Sequence, residues 1–100
     1  MAFPLHRNAQ GESPPYLLVL QHSLLDDELE SRVVAPVVLA GVRQAVPHLN
    51  PTVRVESRSY AVMVSGLAAV PKRYLGDEVT YSGIDEYDIK RCLDRLFFGI

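Results

Sequence analysis

The carboxyl-terminal stretch, residues 89–100, decides the fold, and it reads IKRCLDRLFFGI. From Ile89 onward, apolar side chains recur at the i+3, i+4, i+7 and i+8 positions, the pattern of a helix with one buried face. These positions are occupied by Cys92, Leu93, Leu96 and Phe97. The stretch therefore predicts an amphipathic helix that packs against the rest of the chain.

Phe98 falls outside the buried face of this helix. At about 100° per residue it lies on the far side, near Arg91 and Asp94. One interpretation is that the ring contacts another molecule. The alternative is a frayed chain end, or a ring that folds back over the core edge after Gly99 ends the helix.

The start of the helix also has a local signal. Ser82 and Asp85 have the spacing of a capping box, which predicts that the helix begins there. Acidic residues precede basic ones along the segment, an order that the helix dipole favours.

The chain before this helix has mostly strand patterns. Residues 16–20, YLLVL, form the continuous apolar run of a central strand. Residues 52–56 and 60–65 alternate between apolar and polar side chains, which predicts a hairpin with a turn at 57–59. Further strands are expected at residues 2–6, 32–39 and 70–75, the last of them broken by Pro71. A short helix is expected at 40–46 and a turn at Gly76-Asp77-Glu78. Since proline cannot donate a ladder hydrogen bond, Pro36 predicts an edge, a bulge or the end of pairing.

Composition indicates one α+β domain spanning residues 1–100. The chain has 48% hydrophobic and 22% charged residues, which is typical of a globular protein. Its net charge of −2 argues against a protein that mainly binds a phosphate backbone. With one cysteine, Cys92, no signal peptide and no membrane span, we expect a soluble, cytoplasmic protein.

No catalytic or metal constellation stands out. His6, His22 and His48 lie in three separate segments without metal-ligand spacing, so neither a metal nor a cofactor is expected. Arg54, Arg58, Lys72 and Arg73 are candidates for a basic patch across the sheet, although such residues are more often the solvated face of strands. Chemistry alone assigns no reaction.

Four stretches, in their order and spacing, resemble the CcdB family of bacterial toxins that act on DNA gyrase. They are residues 19–26 (VLQHSLLD), residues 32–39 with proline inside an apolar strand, residues 67–79 (LAAVP followed by LGDEV) and residues 88–100. The resemblance implies an antiparallel sheet of SH3-like barrel type with one carboxyl-terminal helix, a homodimer, and no enzymatic activity. It also implies that the protein binds the A subunit of DNA gyrase, where it traps the cleaved-DNA complex, and that a CcdA-like antitoxin with a disordered segment removes it.

The resemblance assigns residues to both partners. By motif, the gyrase-binding residues are Leu24, Leu25, Asp94, Phe97, Phe98, Gly99 and Ile100. For an acidic antitoxin segment we expect a cationic track made of Arg43, Arg54, Arg58, Lys72 and Arg73. Direct binding of nucleic acid or membrane is not expected.

Two departures from the family bear on potency. The best-known members have tryptophan where this chain has Phe98, and a neutral asparagine where it has Asp94. Two alternatives therefore stay open. One is a family member that binds its antitoxin but poisons gyrase weakly or not at all. The other is a ribonuclease like the MazF family, for which the sequence places neither a base nor a cationic stabiliser.

Overall fold

A computed structural model of the protein describes residues 3–21, 25, 27–41 and 49–99. These residues form an antiparallel sheet of seven strands and one α-helix at the carboxyl end, as the sequence predicted. The strands are β1 (Leu5–Asn8), β2 (Tyr16–Val19), β3 (Ser31–Leu39), β4 (Thr52–Val55), β5 (Arg58–Val62), β6 (Ala68–Pro71) and β7 (Leu75–Val79), and the helix is α1 (Glu86–Phe98). Their order in the sheet is β4-β5-β3-β2-β1-β7, and β6 also pairs with β3. Most of the short helix expected at 40–46 lies outside the described residues.

Strand β2 is central, as its apolar run predicted, because both of its faces are covered. Tyr16 and Leu18 belong to the main core, which includes Ile89 and Cys92 of α1. Leu17 and Val19 point to the other face, where a smaller cluster forms with Val34. All four residues of the strand are therefore buried.

Pro36 marks the end of pairing along one edge of β3. On that edge β6 pairs with residues 31–34 and β5 with residues 37–39, so the proline lies between the two partners. Its carbonyl oxygen accepts a hydrogen bond from the Met63 backbone at 2.8 Å. A residue without an N–H is tolerated at this position because no ladder bond requires one.

The predicted hairpin is present, but its turn lies one residue earlier than expected. Glu56 and Ser57 form the turn, and both have positive φ, of 51° and 70°. Two successive positive φ values are typical of a primed two-residue turn, whose twist matches the flanking strands.

The strand expected over 70–75 is broken at Pro71 as predicted, but the residues on either side belong to two different strands. β6 ends at Pro71, and a 3-10 turn at Lys72–Tyr74 leads into β7. The predicted turn at Gly76-Asp77-Glu78 is wrong, because these residues belong to β7 and pair with β1. The first strand, expected at 2–6, is found at Leu5–Asn8. Long-range pairing therefore overrides the local turn signal.

Helix α1 begins one turn later than Ser82 suggested. Asp85 is the N-cap: its side chain accepts from the Asp88 backbone, and the Asp88 side chain accepts from the Asp85 backbone. At the other end Gly99 adopts a left-handed conformation, with φ of 72°, and its N–H donates to Arg95 O at 3.0 Å. Both ends of the helix are therefore capped, which fixes where its last residues project.

Candidate partner-binding surfaces

The last turn of α1 carries an exposed pair of aromatic rings. Phe98 is 73% exposed, which confirms that it points away from the core. Phe97 was expected on the buried face, and this is wrong because it is 63% exposed. Burial decreases along the helix, from the buried Ile89 to the half-buried Leu96. The last turn therefore extends past the part of the core that could cover it.

The other residues assigned to the gyrase surface are placed as follows. Asp94 and Gly99 are exposed on or next to α1. Leu25 is 42% exposed in the connection between β2 and β3. Leu24 and Ile100 lie outside the described residues. The structure thus places two exposed phenyl rings and one carboxylate near the end of the same helix.

The basic residues considered as one patch do not come together. Arg54 is opposite Ser59 on the hairpin, whereas Arg58 is opposite the buried Val55, so these two arginines project from opposite faces. Lys72 follows Pro71, which pairs with Ser31 at the start of β3, whereas the hairpin pairs with the end of β3. At about 3.3 Å per residue the nine residues of β3 span roughly 26 Å.

Local partners differ among these cations. Lys72 Nζ lies 3.3 Å from Glu30 Oε2, and the Arg73 guanidinium lies 5.6 Å from the centre of the Tyr74 ring. Arg43 is outside the described residues. The expected cationic track is therefore a set of separated positions. A long extended segment could contact all of them at once, but a compact ligand could not.

A cavity that sequence patterns missed lies between the β1–β2 and β4–β5 hairpins. Its volume is about 440 Å³, and Arg7, Arg58, Tyr16 and Tyr60 are among its lining residues. The two tyrosine rings meet edge to face with centroids 5.2 Å apart. The pairing of β1 with β2 puts Arg7 opposite Tyr16, and its approach to Arg58 depends on the whole sheet register, so no local sequence pattern indicates this cavity.

The candidates for metal or nucleophilic chemistry do not form a site in the described part of the chain. No cluster of three or more His, Cys, Asp or Glu side chains that could hold a metal is found there. His6 Nδ1 lies 2.8 Å from Gly76 O, a structural contact between β1 and β7. Burial, followed by the nearby Asp88 carboxylate, raises the pKa of the Cys92 thiol, which disfavours a reactive thiolate. Among the described helices, none is long and apolar enough to cross a membrane.

These features define a small, mainly β domain whose prominent surfaces are suited to recognition: an aromatic helix end and a cavity lined by arginine and tyrosine side chains. A sequence profile of the family described as CcdB protein matches residues 2–99. The chain therefore belongs to the CcdB family, and this membership supports a toxin of a toxin–antitoxin system.

A solved structure with the same fold is the Mycobacterium tuberculosis toxin MazF-mt6. The two proteins align with a TM-score of 0.60 at 15% sequence identity, over 93% of this chain and 91% of that one. Likeness at this identity shows the fold alone, and it confirms the expected fold class of the CcdB and MazF type.

Proposed function

We propose that this protein is a non-enzymatic toxin that binds the A subunit of DNA gyrase and traps the cleaved-DNA complex, and that a CcdA-like antitoxin neutralises it. Family membership supports the toxin class, and the resemblance of the terminal segment supports gyrase as the target. The proposed contact residues are Leu24, Leu25, Asp94, Phe97, Phe98, Gly99 and Ile100.

The single observation that carries this proposal is the exposure of Phe98 on a rigid element. Exposed phenyl rings lose apolar contact with the core, so a ring held in solvent by a capped helix is available to a partner. In the proposed complex its face stacks on a guanidinium of gyrase, an interaction worth about 0.5–2 kcal/mol. Asp94 lies one turn earlier on the same helix and would pair with a cation or repel an anion at that contact.

A homodimer is part of the proposal, and one region of the surface supports it. Among the described strands β6 pairs with β3 alone, so its other edge has no strand partner there. Ala68 and Ala69 at this edge are exposed, and small exposed side chains leave the edge accessible to a second copy. A two-fold arrangement would present the carboxyl-terminal helix ends of both protomers to one target.

The experiment that tests this function combines two assays on the purified protein. Supercoiled plasmid is incubated with gyrase and ATP, and trapped cleavage complexes are counted as linear DNA after protease treatment. Single-stranded RNA is incubated with the same protein in parallel. We expect linear DNA and intact RNA. Cut RNA without trapped DNA would support the ribonuclease alternative, and neither product would support an antitoxin-binding member that poisons weakly or not at all.

A further inference from the structure

The cavity between the two hairpins combines cationic and aromatic groups, and the proposed contact with gyrase does not involve it. Arg7 and Arg58 contribute guanidinium groups, while Tyr16 and Tyr60 contribute buried rings to its lining. The remaining lining residues are Asn8, Gly11, Glu12, Pro15 and Leu39. A volume of about 440 Å³ is in the lower part of the range of ligand pockets and is too small for a folded domain.

Both arginines retain hydrogen-bonding capacity. Among the described residues, no carboxylate lies within ion-pairing distance of Arg58. Arg7 Nη2 lies 3.8 Å from Glu56 Oε1, which is longer than a hydrogen bond, and both side chains are largely exposed. The Arg7 guanidinium also lies 5.8 Å from the centre of the Tyr16 ring, which orients it beside the cavity. Each guanidinium can donate to both oxygens of a carboxylate.

The edge of the cavity is an ordered loop. The Asn8 side chain accepts from the Gln10 backbone at 2.9 Å and donates to Pro14 O at 2.9 Å. The Asn8 backbone donates to Pro15 O at 3.1 Å, so one residue ties both ends of the loop together. Preorganisation of this kind lowers the entropy that binding costs.

The lining also limits which anion fits. Glu12 on the edge and the nearby Glu56 leave the region with as many carboxylates as guanidiniums, and the whole chain has a net charge of −2. A polyphosphate backbone needs a strongly basic field, whereas one carboxylate beside an apolar side chain needs only the two arginines and the tyrosine and leucine surfaces.

We infer that this cavity binds a glutamate or aspartate side chain, together with a neighbouring apolar side chain, from an extended acidic segment of a partner protein. On the proposed function that segment belongs to the antitoxin, and Arg7 is then an antitoxin contact that the sequence did not reveal. The other cations of the track act at separate positions along the same segment.

The test is a nuclear magnetic resonance titration of the intact protein with two synthetic peptides. One is a capped octapeptide in which glutamate alternates with leucine and phenylalanine, and the other has glutamine at every glutamate position. We expect the acidic peptide to shift the backbone amides of Arg7, Gly11, Arg58 and Tyr60, and to bind at least tenfold more tightly than the glutamine peptide. Equal binding of the two peptides, or shifts confined to other surfaces, would overturn the inference.

Two variants sharpen this test, and their fold is checked from the spectra. Arg7→Gln combined with Arg58→Gln should weaken acidic-peptide binding at least tenfold. Arg91→Gln is the matched control, because Arg91 also lies over a tyrosine ring, at 5.6 Å from Tyr87, but on α1. It should change the affinity by less than twofold. Equal affinities for the double variant and the wild type would contradict the inference, and the wild-type shifts decide it if the double variant does not fold.

Two further measurements separate this inference from the function on which its partner rests. A uridine oligonucleotide that shifts the same amides, where the acidic peptide does not, would assign the cavity to nucleic acid and reject a peptide ligand. The Arg7 and Arg58 variants should trap as much gyrase–DNA complex as the wild type. Failure of the wild type to poison gyrase would reject the proposed function while the peptide titration still stood.

Discussion

Arg54 and Ser82 exchange both of their backbone hydrogen bonds, with N···O distances of 2.8 and 3.0 Å. This isolated bridge joins β4, at one end of the strand order, to the segment that follows β7 at the other end. Helix α1 starts four residues later, so the bridge determines where the helix begins and where its aromatic end projects.

Gly83 directly follows this bridge and has a φ of 100°, a conformation that side chains with a Cβ rarely adopt. We expect Gly83→Ala to lower the free energy of unfolding by about 1–2 kcal/mol. Gly66→Ala is the matched control, because the added Cβ would meet Pro36 Cγ at an ordinary 3.6 Å. Urea unfolding of both variants measures the difference. An equal loss in the two variants would mean that the bridge does not constrain Gly83.

The contribution of α1 to stability should be largest at Ile89, the most buried residue of the helix. Its side chain is 1% exposed within the main core, so Ile89→Ala should lower the free energy of unfolding by about 2–5 kcal/mol. Leu93 and Leu96 are half-buried against that core, so alanine at either should cost less than at Ile89. Thermal and urea unfolding give the ranking, and a larger loss at Leu96 than at Ile89 would contradict the burial gradient along α1.

Restoring the residues of the best-known family members at positions 98 and 94 should preserve or increase gyrase poisoning. Phe98→Trp enlarges the aromatic face, and tryptophan is the best cation–π partner, so the yield of trapped complex should be preserved or increased. Asp94→Asn removes an anion one turn away and should also increase the yield if the contact faces DNA-bound gyrase. Plasmid cleavage at matched protein concentration provides the measurement. A loss of poisoning in Phe98→Trp would show that the contact has no room for an indole.

Stability should fall in alkaline solution, because two buried groups and one partly buried group keep their protons more strongly in the folded chain. Burial, followed by the nearby Asp88 carboxylate, raises the pKa of Cys92 above its ordinary 9.0. Burial also raises the pKa values of Tyr16, with a further contribution from Tyr60, and of Tyr81 above 10.0. The unfolded chain then releases these protons at lower pH, so the contribution is complete below about pH 9 and is lost as the pH rises through the folded-state values.

Urea unfolding at pH 7.5, 9.5 and 11 tests this dependence. Tyr81→Phe should flatten the alkaline decrease, although it also removes the 2.7 Å hydrogen bond from Tyr81 to Phe3 O and so lowers stability at every pH. An unchanged slope in Tyr81→Phe and Cys92→Ala together would show that other groups control the alkaline transition.

The proposed dimer surface predicts a dependence on β6. Ala69→Glu adds a charge to the exposed edge of this strand. We expect the wild type to sediment as a dimer at micromolar concentration and Ala69→Glu to dissociate at least tenfold more readily. A wild-type monomer at that concentration would reject the homodimer.

The antitoxin interaction should depend strongly on salt. The exposed cations of the track interact with an acidic segment through solvent, so raising the ionic strength from 0.05 to 0.5 M should weaken binding more than tenfold, as roughly estimated from charge screening. Calorimetry with the acidic peptide provides the measurement. Salt-insensitive binding of this peptide would mean that apolar contacts dominate and that Arg7 and Arg58 do not bind its carboxylates.

The parts of the fold that depend on neighbouring residues could be predicted from the sequence. Residues 89–96 specify their own helix through apolar spacing, and residues 16–19 specify a buried strand through continuous apolarity. The start of α1 could not be placed in this way, because a backbone bridge to Arg54, distant in sequence, occupies Ser82 and leaves the cap to Asp85.

The same distinction applies to the candidate sites. The outward direction of Phe98 follows from helical geometry alone, whereas the exposure of Phe97 depends on where the sheet beneath the helix ends. Arg7 and Arg58 reach one cavity only through the register of β1, β2, β3 and β5. The approach of these two arginines depends on several strand pairings at once, and no pattern within a short stretch of sequence can indicate it.

The most direct test of gyrase binding by the helix end is one paired measurement on Phe98→Ala. Because the ring is largely exposed, the variant should lose less than about 1 kcal/mol of stability and melt within a few degrees of the wild type. It should nevertheless trap no gyrase–DNA cleavage complex above background and no longer inhibit growth. Full poisoning by a normally folded Phe98→Ala protein would contradict the assignment of this surface to gyrase, and melting far below the wild type would place the ring in a core or dimer contact instead.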